Sequence, residues 1–174
     1  MSNPDFDYNL FPLAYLITIR CYGTWLHGDE RLGVDRHSFN RYGTPRRPAN
    51  SKLEGMMRDN MKEERVLLNE SQRTLVEEAI AEVCDYRGYD LKAVNVRSNH
   101  AHVVVSAQSK PELIADAFKS YSTRKLRATG MLGSGVHPWA RGRSRRYLWK
   151  PHHVIRAIDY VLYGQGEIIP DFDD

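Results

Sequence analysis

Two runs of alternating residues, Tyr89 to Arg97 and Ala101 to Ala107, meet at the short polar turn Arg97-Ser98-Asn99. Period-two alternation on both sides of a brief turn predicts a β-hairpin. A helical pattern flanks it on each side. Before it, Leu75, Val76, Ala79, Ile80, Val83 and Cys84 recur at helical spacing from about Ser71 to Tyr86, and Gly88 ends the run. After it, Ile114, Ala117, Phe118 and Tyr121 make a stripe on a helix from Lys110-Pro111 to about Thr129. Leu13 to Tyr22 reads as a leading strand, and Arg145 to Trp149 as a strand behind the Gly/Ser/Pro linker 130–142. Pro151 opens a last helix over 151–163, and Gly164 stops it. This order predicts an α+β fold: a ferredoxin-like sandwich, an antiparallel sheet with helices on one face, plus a C-terminal helix carrying Tyr160. One domain over residues 1–174 accounts for the length.

An insertion at about 23–70 interrupts the pattern. Residues 23–50 are dominated by Gly, Arg, Asn and Pro and read as a long loop or arm, a kind of segment that is more often functional than accidental. Ser51-x-x-Glu54 is a capping-box pattern opening a short helix to about Leu68, with Met56, Met57 and Met61 expected to pack.

No apolar run approaches a membrane span, and Met1-Ser2-Asn3-Pro4-Asp5 lacks the regions of a signal peptide. Cys21 and Cys84 belong to no metal or redox motif, so a reduced, cytoplasmic protein is the expectation. The net charge of +3 conceals an uneven distribution. Between Lys119 and Lys150 there are Lys and Arg residues but no Asp or Glu, interleaved with Tyr121, Trp139, Tyr147 and Trp149. Such a block fits either a solvated basic face or a surface for nucleic acid.

His100 and His102 stand at the start of the second hairpin strand and share one face. Two imidazoles converging in this way make half of a divalent-metal site; one buried and one surface histidine is the simpler alternative. On a wheel of the last helix, Val154, Ile155, Ile158, Val161 and Leu162 form the apolar stripe. Tyr160 lies nearly opposite, beside His153, Arg156 and Tyr163, and is expected to face solvent, a groove or another subunit.

The segment from Val94 through His100-Ala101-His102 to Val105 resembles the His-hydrophobic-His strand of single-tyrosine transposases of the insertion-sequence 200/605 type, including their REP-associated relatives. Phe118 to Leu126 resembles the Lys/Ser/Arg helix that follows in that family, Tyr147-Leu148-Trp149 its Trp strand, and Tyr160 to Gln165 its closing segment. The resemblance implies the same sandwich and a metal-dependent single-stranded DNA endonuclease and strand transferase. Its substrate is DNA beside a hairpin, cut through a 5′-phosphotyrosine intermediate. Carried over, His100 and His102 hold Mg²⁺ or Mn²⁺ and Tyr160 is the nucleophile, with Tyr163 the alternative. Lys119, Arg124, Lys125 and Arg127 would track phosphates from one helix, and Arg141, Arg143, Arg145 and Arg146 from the segment after it. Trp139 or Trp149 would stack a base, although Trp149 within a strand fits the core better.

The chain departs from the family at the third metal ligand. That ligand falls four residues after the tyrosine, where this chain has Gly164; Gln165 is one residue late and is the substitute expected here. Asp29, Glu30, Asp35, His27 and His37 of the insertion are further candidates. The departure keeps a second reading alive, a non-catalytic, domesticated nucleic-acid binder on the same fold. A third, a histidine-metal hydrolase using activated water, is weaker because no acid or base neighbours the histidines in sequence. Relatives include dimers that share the tyrosine helix as well as monomers, so a homodimer and a monomer both remain open.

Overall fold

The computed structural model describes residues 11–24, 51–59, 64–164, 170 and 172. Most of the insertion, with His27, Asp29, Glu30, Asp35, His37 and Met61, therefore lies outside the described residues, as does Gln165. The elements run β1 (Ala14–Cys21), α1 (Ser51–Asp59), α2 (Glu70–Arg87), β2 (Asp90–Val96), β3 (His100–Ser106), α3 (Pro111–Ala128), β4 (Trp139–Leu148) and α4 (Pro151–Tyr163). The strands form one sheet in the order β2-β3-β1-β4, and every neighbouring pair is antiparallel. That order, with α2 and α3 each connecting strands that are not neighbours, is the ferredoxin-like topology expected from the periodicity.

β1 is central, and its alternation divides the protein into two cores. Tyr15, Ile17, Ile19 and Cys21 point with Ala101, Val103 and Val105 towards α2 and α3, where Val76, Ile80, Val83, Ile114 and Phe118 close the larger core. Ala14 and Leu16 point the other way, with Val104 and Leu148, towards α4. Both faces of the sheet are thus covered at this strand, which is why β1 is almost entirely buried.

Local chemistry sets the helix ends. Asn69 caps α2 through a reciprocal pair with Gln72, each side-chain oxygen accepting the other residue's backbone N–H at 2.9 Å. Gly88 ends α2 in the left-handed region at φ 68°, a conformation that glycine adopts without a Cβ clash. Pro111 and Pro151 occupy the first turns of α3 and α4, where a missing N–H costs nothing.

Three expectations are corrected. The helix opened by Ser51 ends at Asp59 rather than near Leu68, and Met56 is exposed rather than packed. Residues 64–69 are irregular and tied to the end of the sheet, with the Val66 N–H donating to Tyr22 O and the Leu68 N–H to Ser98 O. The linker after α3 is shorter than 130–142, because β4 begins at Trp139. Its early residues bulge: Ile19 opposes Arg143 while Cys21 opposes Trp139, so Ala140, Arg141 and Gly142 fall outside the regular ladder. Among the described residues, no helix is long and apolar enough to cross a membrane.

Candidate metal and tyrosine site

The sheet face beneath α4 has an apolar end and a polar end. Ala14, Leu16, Val104 and Leu148 make the first. Directly opposed residues of antiparallel strands share a face, and the register therefore gathers the second. Thr18 stands opposite His102 and Ser144, Arg20 opposite His100, Asn95 opposite His102, and Arg146 opposite Leu16.

The two imidazoles adjoin edge-to-face, ring centroids 4.6 Å apart. Each is held through Nδ1. His100 Nδ1 lies 2.6 Å from Asn99 Oδ1, an oxygen that can only accept, so Nδ1 carries the proton and Nε2 keeps its lone pair. His102 Nδ1 lies 2.7 Å from Thr18 Oγ1, inside the protein. If that hydroxyl accepts, His102 takes the same tautomer. Fixing Nδ1 by a hydrogen bond while leaving Nε2 as a donor is how proteins prepare histidine for a metal. Burial, then the neighbouring His100 and Arg20, push the His102 pKa down to about 3, so its imidazole is neutral at physiological pH, the form that binds metal.

Tyr160 is where the sequence reading fails in detail. The buried side of α4 consists of His153, Val154, Ala157, Tyr160 and Val161, while Ile155 and Leu162 are 59% and 43% exposed. Tyr160 is 8% exposed and packs with the smaller core, its ring centroid 5.3 Å from that of His102. The phenol faces the histidine strand rather than solvent. Tyr163, the alternative, is 84% exposed on the outside of the helix.

Two contacts set the end of α4. The last carbonyls of a helix lack intrahelical donors. Here Asn95 Nδ2 donates to Val161 O at 3.0 Å, and the Gly164 N–H donates to Tyr160 O at 3.0 Å. Asn95 shares its face with His102, so one strand pair holds both a ligand candidate and the tyrosine helix. At Gly164 a Cβ would lie 3.2 Å from both Cα and Cδ2 of Tyr160, so a side chain at this position would crowd the tyrosine ring. Among the described residues there is no group of three His, Cys, Asp or Glu suited to a metal. The donor set they supply is the two imidazoles.

The basic residues part company. Lys119 does not face outward: its Nζ donates to the carbonyls of Ala140, Arg141 and Gly142, the three left out of the ladder by the bulge. Burial first, and then Arg143, hold its pKa below the usual lysine range. Lys125 pairs with Glu82 and Glu78 of α2, and Arg127 donates to Val136 O. Arg143 pairs with Asp116 and Arg145 with Glu112. Arg124 lies over the Tyr121 ring, and Arg141 is exposed. Arg146 shares the face of His102, and its buried Nε has no hydrogen-bond partner among the described residues. Trp149 is not a core residue; it is 51% exposed.

Thr18, Asn95 and Asn99 were missed. A signal existed for the first: Thr18 and Arg20 are the polar members of the otherwise apolar run Ala14–Cys21, two apart and so on one face. Asn95 and Asn99 carried none, because their roles depend on strand register and the turn.

A family model described as "Transposase IS200 like" matches residues 59–155, more than half of the chain; the match ends before Tyr160. No curated protein matches. Among solved structures, the chain is similar to a REP-associated tyrosine transposase bound to a REP hairpin, at 12% identity and a TM-score of 0.49. That similarity covers 87% of this chain, which spans 65% of the length of that protein. It is also similar to a candidate transposase of Deinococcus radiodurans R1, at 16% identity and a TM-score of 0.48, over 91% of this chain and 94% of the other.

Proposed function

We propose that this chain, which belongs to the IS200-like transposase family, is a metal-dependent endonuclease and strand transferase. Its substrate in this reading is single-stranded DNA beside a hairpin, and it works through a 5′-phosphotyrosyl intermediate. One observation carries the proposal: the Tyr160 ring lies against His102, one of two imidazoles whose Nδ1 atoms are held from behind. His100 and His102 would hold Mg²⁺ or Mn²⁺ through Nε2, with Gln165 as the third donor. Such an ion, when bound, draws charge off a phosphoryl oxygen.

The remaining work falls to this chain's own groups. Arg146, with its unpartnered Nε on the same face, is suited to orient the phosphate. Asn95 fixes the helix end beside Tyr160. The phenol gives up its proton, its oxygen bonds to phosphorus, and the bond from phosphorus to the 3′ oxygen breaks. That oxygen takes a proton and leaves as a 3′-hydroxyl. The ester keeps the bond energy, so reversal onto another strand needs no nucleotide cofactor.

Gly164 favours one alternative, a non-catalytic nucleic-acid binder, because the position of the family's ligand is filled by a residue without a side chain. Intact-protein mass separates the two. Wild type and Tyr160→Phe are incubated with Mn²⁺ and a pool of hairpin-bearing single strands. A DNA-sized mass gain lost in the variant is the expected result, and a gain retained moves the nucleophile to Tyr163 or Tyr121. No gain, with tight salt-sensitive binding, favours the binder.

A further inference from the structure

Where β1 has only Arg20, β4 carries Ala140, Arg141 and Gly142. The surplus chain is held firmly. Lys119 Nζ donates to all three carbonyls, at 2.8, 3.3 and 2.9 Å. Trp139 Nε1 donates back to Lys119 O at 3.2 Å. The protein itself thus absorbs the charge of Lys119, and that charge fixes the shape of the bulge.

That shape has a second side. In a trans peptide the N–H points opposite to the carbonyl of the same plane. The carbonyls of Ala140 and Arg141 share their planes with the N–H groups of Arg141 and Gly142, so these two donors turn away from Lys119. No atom lies within 4 Å of where a Cβ on Gly142 would stand, which leaves the backbone there open to a ligand. Arg141 adds a guanidinium. It is exposed and, unlike Arg143 and Arg145 of the same strand, pairs with no acid among the described residues. Main-chain N–H groups beside an arginine suit an anion, and β4 is an edge strand, so no further strand covers the bulge.

Its place in the sheet names the anion. Arg20 opposes His100 on one side and the bulge on the other, so the three stand in one row across the same end of the sheet. Two strand spacings, about 10 Å, separate the bulge from His100. A nucleic-acid strand whose reacting phosphate lies at the histidines carries further phosphates at this range.

We propose that the bulge at residues 140–142 is a docking point for a second backbone phosphate of single-stranded DNA. The Arg141 guanidinium and the N–H groups of Arg141 and Gly142 hold it. Lys119, expected from the sequence to touch phosphate itself, instead holds the bulge from behind. The proposal rests on the DNA reading above but not on catalysis by Tyr160.

The test follows binding of a labelled mixed-sequence single strand by fluorescence anisotropy over a range of NaCl concentrations, without divalent metal. Arg141→Ala reduces the slope of log affinity against log salt by about 0.7, the share of one phosphate contact on a single strand. Arg141→Ala combined with Met131→Arg restores the net charge at an exposed residue of the preceding loop and leaves the slope reduced. Circular dichroism confirms folding of each variant. Folded Arg141→Ala with the wild-type slope overturns the docking point and leaves the DNA reading standing. A slope restored by Met131→Arg overturns it too, because charge anywhere nearby then suffices. No binding of the strand by wild type overturns both.

Discussion

Replacing Thr18 with valine removes one hydroxyl at a place where nothing else need move. Valine matches threonine in shape, so no cavity opens, and the change isolates the 2.7 Å bond to His102 Nδ1. Thr18 is 2% and His102 4% exposed, so water cannot replace the lost partner. A buried polar group left without its hydrogen bond costs about 1–3 kcal/mol. In a domain of this size each kcal/mol lowers Tm by roughly 2–4 °C, which places the drop for Thr18→Val between about 2 and 12 °C. Thr18→Ser keeps the oxygen and should fall much less. The same substitution frees the His102 ring to turn, and loss of a hydrogen bond behind a metal ligand weakens metal affinity by about 10- to 100-fold. Differential scanning calorimetry without metal measures the first effect, and calorimetric titration with Mn²⁺ the second. A Thr18→Val protein that melts with wild type and binds Mn²⁺ equally well would refute the assignment of Thr18 as the residue that positions His102.

Other expectations follow from neighbouring contacts. In the metal-free protein His102 titrates near 3, below the value of about 6.5 it has when unfolded. The unfolded chain therefore takes up this proton first. The stability His102 contributes is complete above pH about 6.5 and is lost as pH falls towards about 3, at up to about 1.4 kcal/mol per pH unit; urea unfolding at a series of pH values checks it. Asn95→Ala removes the donor to Val161 O, costing about 1 kcal/mol and slowing covalent adduct formation while leaving DNA affinity within about twofold. Lys119→Met uncovers the three carbonyls of the β4 bulge and should lower Tm by several degrees. Were Lys119 mainly a phosphate contact, the variant would instead melt as wild type and lose one ion from the salt dependence of binding.

The sequence was most legible where one periodicity met one environment. α2 shows its stripe because Val76, Ala79, Ile80, Val83 and Cys84 face a wholly apolar core. The hairpin and the shared face of its histidines follow from alternation alone. α4 was misread for a definite reason. Its wheel has apolar residues on more than one side, and hydrophobicity chose the side containing Ile155 and Leu162, which remain exposed. The helix instead lies on a mixed surface, where Ala157 permits close approach and Tyr160 meets an imidazole. β4 begins earlier than the expected Arg145 because 130–142 reads as a Gly/Ser/Pro linker, and its bulge is held by a lysine about twenty residues away in sequence. Counting cations could not separate Lys125, paired to α2, from Arg146, which shares a sheet face with His102.

The central claim is that Tyr160, beside the His100–His102 pair, forms a covalent bond to the 5′ side of a cut single strand. The most direct measurement labels a cognate hairpin strand separately at each end, incubates it with protein and Mn²⁺, and asks which label stays with denatured protein. Retention of the 3′ label, on the fragment whose 5′ phosphate is esterified, is the expected result. Release of the other fragment with a free 3′-hydroxyl is expected too, with loss of both cleavage and retention in Tyr160→Phe and His102→Ala. Cleavage that persists in Tyr160→Phe with neither label held by protein would contradict this assignment and point to attack by water.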